Sequence, residues 1–297
     1  MEKQSLGKGL LFSVLAYLLW GVLPLYWKLL AAIPPLHILS FRILFSLILI
    51  SAILFSQKNF SWLKILKNKK KGILLILAAF TISFNWGLYI WAVNTGHTIE
   101  TSVGYYINPL ISIVLGLCFF REKLNALQWV SVGLALAGVL LLTWFSGALP
   151  WIPLGLALSF GFYGLLKKAG ELSAMESLGA ETLIASPLGL LLLFLPLTAG
   201  GRGLSYFHQL PAATLLILLG CGVVTSLPLY LFGKGARLLP LSTLGFVQFV
   251  SPTLTFFEGV FLFRESFPIR NLIAFGFIWA AVVLYIASLR AASKKTS

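Results

Sequence analysis

Charged side chains are scarce in this chain. Asp, Glu, Lys and Arg make up only 10% of its 297 residues, whereas an ordinary soluble domain has roughly 25%. Hydrophobic residues make up 59%, in long continuous runs that do not alternate every second residue. This composition excludes a soluble globular domain and argues against a transmembrane barrel. It indicates an all-α integral membrane protein, because helices satisfy their own backbone hydrogen bonds in lipid.

Residues that bind metals or act as nucleophiles are also few. Cys118 and Cys221 lie far apart in apolar runs, and the three histidines, His37, His97 and His208, lack the spacing of metal ligands. No Ser/His/Asp or Cys/His set, phosphate-binding loop or dinucleotide fingerprint occurs. The sequence therefore predicts no disulfide, no metal, no cofactor and no enzymatic activity.

Acidic residues are outnumbered by basic ones, with 22 Lys and Arg against 8 Asp and Glu and a net charge of +14. Such an excess is also typical of nucleic-acid binding, but here the basic residues lie between apolar runs. We interpret them, Lys167 and Lys168 included, as topology signals, and expect no nucleic-acid partner. Their placement between the apolar runs predicts a multi-pass membrane protein with both termini cytoplasmic. The lysine-rich segment 57–71 is also suited to membrane lipids.

Ten apolar segments have the length of a membrane span, about 20 residues. They cover residues 9–30, 36–56, 72–93, 99–120, 126–145, 153–169, 178–198, 211–233, 240–263 and 270–289. Only the connections 57–71 and 199–210 are long, so no separate soluble domain is predicted. Any function must therefore lie within the membrane.

The segment Gly104–Leu124 has a counterpart in the second half of the chain. Adding 143 to its numbers places Pro109 on Pro252. Residues 1–148 and 149–297 are therefore predicted to form two repeats of five helices each. Because five is odd, the second repeat enters the membrane from the opposite side, which gives an inverted-topology repeat. Halves related in this way suit a central site with alternating access.

Pro109 and Pro252 each remove one backbone hydrogen bond and predict a helix kink. The carbonyls of Tyr105 and Gln248 then need a neighbour, a water molecule or a ligand. A simple packing kink is the alternative interpretation. The polar residues beside the two prolines favour a ligand.

Three charged residues within the spans stand out, because each is costly in lipid. Arg42 and Glu100 lie toward the outer ends of the second and fourth spans, which predicts an ion pair or a ligand-binding couple. A purely structural pair that locks two helices is the alternative. Glu181 has no acidic counterpart in the first half and is a candidate for proton or cation coupling.

Aromatic rings combined with a few amides and hydroxyls suit a small organic solute. Taken singly, each such residue is more often part of a packed core. As a set, they predict the lining of a substrate-binding cavity. The set contains Tyr17, Trp20, Arg42, Asn85, Trp86, Trp91, Asn94, Glu100, Tyr105, Tyr106, Asn108, Tyr163, Gln248 and Ser251.

Small residues recur at a spacing of four in the fifth and tenth spans, as in Ser131/Ala135 and Gly276/Ala280. This spacing allows helices to approach closely. The contact is formed either within one chain or in a homodimer, and the sequence leaves both open.

Four segments carry a resemblance to a known family: AYLLWGVLPLYWK (16–28), NWGLYIWAVN (85–94), SVGYYINPL (102–110) and STLGFVQFVSPTL (242–254). They resemble the RarD-type permeases of the EamA family, in the drug/metabolite transporter superfamily, over about residues 8–290. The resemblance implies a ten-helix inner-membrane permease that works by alternating access without ATP. The family's usual Gly-Glu turn here reads Arg121-Glu122 and Arg264-Glu265, which favours a structural, charge-balanced turn.

The function predicted from these features is a secondary transporter. Its substrate is a small organic metabolite or drug, such as an amphenicol-like or amino-acid-like solute. A flippase for a lipid-linked substrate is the first alternative. A membrane protein that acts in interaction or sensing without transport is the second.

Overall fold

The structure is a computed structural model that describes residues 2–65, 67–94, 97–146, 151–170, 172–195, 207–262 and 269–295. Within these residues all regular secondary structure is helical, which confirms the all-α prediction. The helices are α1 (Glu2–Lys28), α2 (Pro35–Ser56), α3 (Ser61–Ile65), α4 (Lys69–Asn94), α5 (Thr98–Phe120), α6 (Ala126–Ser146), α7 (Trp151–Ala169), α8 (Ala174–Phe194), α9 (Ala212–Leu238), α10 (Leu241–Gln248), α11 (Val250–Phe257) and α12 (Ile269–Lys295), with a π-helical turn at Glu258–Leu262.

Each predicted span falls on a helix, and the ninth falls on α10, α11 and the π-helical turn together. Within the described ranges, eight helical stretches are long and apolar enough to cross a membrane, and α5 contains a shorter apolar stretch, Gly104–Phe120. Large apolar side chains such as Trp144 and Phe261 are 82% and 69% exposed. Surfaces of this kind contact lipid or partners, so the chain is a multi-pass membrane protein.

The helices run between two faces of the bundle. Gly9, near the start of α1, packs against Leu238 and Leu239 at the end of α9. Near the start of α10, the Thr243 hydroxyl shares a hydrogen bond of 3.0 Å with Tyr285, in the last part of α12. The start of α1, the end of α9, the start of α10 and the end of α12 therefore lie on one face, which we call the terminal face. The opposite face is the distal face.

Helices from the two halves of the chain contact one another extensively. Contacts join α1 to α9, α4 to α7, α5 to α7 and α1 to α11. Three further contacts join α2 to α8, α5 to α10 and α6 to α12. One buried cluster joins α1, α7, α9 and α10 to α2, α3, α4, α5 and α8 and includes Tyr17, Tyr163 and Phe232. A second cluster joins α5, α6, α10 and α12 around Tyr106 and Phe246.

The two repeat-related prolines lie in different local structures. Pro109 is inside α5, which continues as one helix, whereas the helix before Pro252 is divided at Phe249 into α10 and α11. Proline has no N–H to donate to the Gln248 carbonyl, which explains a break at that point. The two elements cross closely, because a Cβ atom on Gly245 would lie 2.7 Å from the Pro109 carbonyl oxygen.

Candidate functional site

Arg42, in the first half of α2, projects into the bundle and meets three other helices. Its Nε donates a hydrogen bond of 3.1 Å to Thr225 Oγ1 in α9. Its guanidinium carbon lies 4.4 Å from the ring centroid of Trp86 in α4 and 5.0 Å from that of Trp27 in α1. Among the residues that the structure describes, Arg42 forms no ion pair.

Aromatic contacts explain how an unpaired guanidinium is held there. A charged side chain in a membrane helix costs about 2.5 to 3.5 kcal/mol on insertion scales. A desolvated cation–π contact contributes about 2 kcal/mol, and Arg42 has two such contacts and one hydrogen bond. These interactions are comparable in size to the cost of insertion and offset it from within the described residues.

Two tyrosines and the Cys221 thiol also lie near Arg42. The rings of Tyr89, in α4, and Tyr105, in α5, lie 5.9 Å apart, and both hydroxyls are within electrostatic reach of Arg42. Tyr105 is 37% exposed, and Arg42, Trp86 and Tyr89 are only partly buried. These side chains are therefore not completely enclosed by the described part of the protein. We call the set of Trp27, Arg42, Trp86, Tyr89, Tyr105 and Thr225 the Arg42 cluster.

A second polar group lies where α1, α5 and α10 meet. Ser112 Oγ donates to Gln248 Oε1 at 3.3 Å, and the Tyr17 hydroxyl lies near Gln248 without the geometry of a hydrogen bond. Asn108 is buried, and its Oδ1 accepts no hydrogen bond from the residues described here. Tyr106 instead donates to the Pro252 carbonyl at 3.0 Å, which ties α5 to α11. Beside the α5–α10 crossing, Asn108 Oδ1 and the Tyr17 hydroxyl are thus available to form hydrogen bonds.

Glu181 in α8 is held in a buried network of hydrogen bonds. Its Oε1 accepts from Lys167 Nζ at 2.7 Å and from Ser177 Oγ at 2.5 Å, and its Oε2 accepts from the Tyr163 hydroxyl at 3.0 Å. The Lys167 and Glu181 side chains are 4% and 3% exposed. From the sequence, Lys167 is interpreted only as a topology signal. The spacing of Lys167 and Glu181, on either side of a turn between two helices, does not predict that they form a pair. A small pocket lined by Lys167, Ser177, Glu181 and Leu75 has room for about one water molecule.

Glu122 joins the two halves of the chain at the terminal face. Its carboxylate accepts from the backbone N–H groups of Leu241 at 2.6 Å and Ser242 at 2.9 Å, and from Ser242 Oγ at 2.7 Å. An anionic group at a helix start accepts hydrogen bonds from the free N–H groups and interacts favourably with the helix dipole. Glu122 therefore caps α10. Lys168 Nζ donates to the Leu239 carbonyl close by. The sequence predicts a structural turn at Glu122 but does not identify its partner.

Other predicted cavity residues lie in packing contacts. Asn85 donates hydrogen bonds of 2.9 Å to the Leu156 carbonyl and to Ser159 Oγ, which joins α4 to α7. Trp91 stacks against His97 at 5.7 Å and contacts Trp151 at 5.5 Å, away from the Arg42 cluster.

Two more predicted residues contact neighbours near the middle of the bundle. Trp20 lies 5.6 Å from both Phe160 and Phe232, and the Ser251 carbonyl accepts from Thr255 at 3.2 Å. The side chains of Asn94 and Glu100 are outside the described residues, and so is the predicted Arg42–Glu100 couple. No group of three His, Cys, Asp or Glu side chains suited to a metal ion occurs in the described part of the chain.

Comparison with known proteins decides the family. A sequence model described as the EamA-like transporter family matches residues 7–144. The protein RarD of Streptomyces exfoliatus is 42% identical over 282 residues, which covers 93% of this chain and 87% of that one. This chain belongs to the EamA-like transporter family. The RarD-type resemblance predicted from the sequence is thereby confirmed.

Other EamA relatives match along nearly the whole chain. An uncharacterized transporter of Bacillus subtilis, YojE, is 41% identical over 97% of this chain and 96% of its own. The protein RarD of Escherichia coli is 37% identical, with both chains covered completely. These relatives are named as transporters or as RarD, not as enzymes. One crystal structure, 17% identical, shares the fold with a TM-score of 0.69 and covers 93% of this chain and 96% of its own.

Proposed function

We propose that this EamA-family chain is a secondary transporter that carries a small organic solute through a cavity between its two halves. The observation that carries the proposal is the Arg42 cluster. It brings a cation, four aromatic rings and a hydroxyl from α1, α2, α4, α5 and α9 to one partly exposed space inside a membrane bundle. Ionisable groups of this kind within membrane helices mark substrate pathways.

The proposal includes ten membrane crossings in two inverted repeats, residues 1–148 and 149–297. The helix contacts support it. Each helix of the first half can be exchanged for its counterpart in the second half. The α1–α9 pair then becomes the α7–α4 pair. The α5–α7 pair becomes the contacts of α10 and α11 with α1. The same exchange leaves the α2–α8, α5–α10 and α6–α12 pairs unchanged. A two-fold axis in the membrane plane produces this pattern of contacts.

The difference between the two faces supports alternating access as the proposed mechanism. The terminal face is closed by the Glu122 cap on α10, by Lys168 at the Leu239 carbonyl and by Gly9 against the end of α9. The Arg42 cluster lies toward the distal face and retains partial exposure. With the termini in the cytoplasm and the protein in the inner (plasma) membrane, this conformation faces outward. Exchange of conformations between the repeats then gives the inward-facing state.

The cargo is proposed to be a metabolite or drug with a planar or apolar body. One relative, 29% identical, is named the chloramphenicol-sensitive protein RarD of Pseudomonas aeruginosa, so chloramphenicol belongs in any panel of candidates beside amino acids. Glu181 remains our candidate for proton coupling. Its bonds to Lys167, Ser177 and Tyr163 support this role, because they place an ionisable carboxylate between α7 and α8 in the interior of the bundle.

Flux into proteoliposomes tests the proposal. We expect saturable uptake of at least one solute in a panel of chloramphenicol, amino acids, betaines and nucleosides. Asn108→Ala and Tyr106→Ala should reduce this uptake about tenfold or more, while Ser131→Ala, in α6, leaves it unchanged. Glu181→Gln should remove its dependence on an imposed pH gradient.

Two results would contradict the proposal. Transbilayer movement of lipid-linked substrates without solute uptake would identify a flippase. Binding of a solute by folded protein that never carries it would identify a sensor. Wild-type uptake rates in both Asn108→Ala and Tyr106→Ala would remove the α5–α10 crossing from the proposed transport path.

A further inference from the structure

The surroundings of Arg42 leave one part of its guanidinium available. The guanidinium carbon lies 5.0 Å and 4.4 Å from the indole ring centroids of Trp27 and Trp86, and the Nε–H is bound to Thr225. The structure gives no partner among the described residues to the four N–H groups on the two Nη atoms. Those groups point outward in the plane of the guanidinium, so only an acceptor in that plane can bind them.

Charge narrows the choice of acceptor. Among the described residues, the Arg42 cluster contains one cation and no carboxylate, and the other polar groups around Arg42 are the hydroxyls of Tyr89, Tyr105 and Thr225 and the Cys221 thiol. A single positive charge inside a membrane bundle is neutralised by one negative charge. A monoanion does this completely, whereas a phosphate dianion would leave one charge unpaired.

Shape narrows it further. A carboxylate matches the two Nη groups with two parallel hydrogen bonds in one plane. Next to that plane, Tyr89 and the partly exposed Tyr105 offer aromatic surface to an adjoining planar body. A neutral amide fits the same space but brings no charge and presents only one acceptor oxygen.

We propose that the Arg42 cluster is the recognition site for the carboxylate of a planar organic acid, and that this acid is the cargo class. This inference rests on the proposed transport function and specifies its substrate. Occupation by a carboxylate leaves the site with no net charge. The loaded site is thus better suited than the empty one to the closed intermediate that alternating access requires.

Matched pairs of acids and amides test the inference on the purified full-length protein in detergent. The probes are benzoate, phenylacetate and indole-3-acetate, each beside its neutral amide, and the readout is the midpoint of thermal unfolding. A ligand that binds only the folded state raises this midpoint. We expect at least one acid to raise it in a saturable way, with its amide requiring about tenfold or more higher concentration.

Variants then assign the effect to Arg42. Arg42→Gln should abolish the preference for acid over amide, and Arg42→Lys should retain part of it, because lysine keeps the charge and loses the planar fork. Arg237→Gln, which removes an exposed cation at the end of α9, is the matched control and should bind like the wild type. The wild-type comparison requires no variant and so does not depend on whether Arg42→Gln folds.

The outcomes separate this inference from the transport function. Equal effects of acids and amides on the wild type, or no effect of any acid, would overturn the carboxylate site. If the amides are also carried into proteoliposomes, the transport function nevertheless stands. Acids that bind through Arg42 but are never carried would keep the carboxylate site and overturn transport.

Discussion

At the scale of single residues, the buried charged side chains place the strictest demands on their neighbours. Arg42 is held by aromatic faces, whereas Lys167 and Glu181 hold each other. The second arrangement is sensitive to the loss of either partner, because removing one member of a buried ion pair leaves an uncompensated charge. A prediction about stability follows from this difference.

Lys167→Met should destabilise the protein strongly, by about 3 to 5 kcal/mol. Adding Glu181→Gln to the same chain should recover most of that loss, because the remaining network of Ser177 and Tyr163 is then uncharged. Lys168→Met is the control, since Lys168 forms no ion pair among the described residues: its Nζ donates to the Leu239 carbonyl and lies 5.2 Å from the centroid of the Phe120 ring. Thermal unfolding in detergent gives the comparison, and a double variant no more stable than Lys167→Met would refute it.

Sequence reasoning at this scale identified residue types better than partners. Arg42 was conspicuous as a charge within an apolar run, and Trp86 was selected with it. Trp27, Tyr89 and Thr225 were not, because their relation to Arg42 depends on helix packing and not on any spacing along the chain. The Lys167–Glu181 pair also depends on helix packing. Lys167 itself is interpreted as a topology signal because a lysine at a helix end usually is one.

At the scale of elements, the α5–α10 crossing fixes how the two halves meet. Gly245 is required there, because a Cβ atom would contact the Pro109 carbonyl oxygen at 2.7 Å. Pro109 and Pro252 look equivalent in the sequence, yet only the second accompanies a divided helix. The prolines alone do not decide this, because each break depends on the neighbours that receive the freed carbonyl.

Gly245→Ala should therefore destabilise the protein or impair transport, since α5 and α10 must separate. Gly133→Ala, in α6, is the matched control: a Cβ atom there has no neighbour within 4 Å. In a helix this control change is neutral or stabilising by up to about 1 kcal/mol. Equal unfolding midpoints and equal flux for the two variants would contradict the close crossing.

At the scale of the whole molecule, the sequence predicted the helices well. A membrane helix is predicted from the length of its apolar run. This signal does not depend on how the helices pack against one another. The five-residue α3 was not predicted, because it is too short and polar to give such a signal. The closure of the terminal face by Glu122 was also beyond the sequence, because the contact joins residues 119 positions apart.

The central claim is that the Arg42 cluster opens alternately to the two sides of the membrane, and labelling of Tyr105→Cys tests it most directly. The background carries Cys118→Ser and Cys221→Ser, and a membrane-impermeant maleimide is applied to intact cells and to inverted vesicles. We predict labelling from both sides, faster from outside. Adding Glu122→Ala, which removes the cap of α10 at the terminal face, should shift labelling toward the inside several-fold. If both the Tyr105→Cys protein and its Glu122→Ala derivative are labelled from one side of the membrane only, the result would contradict alternating access.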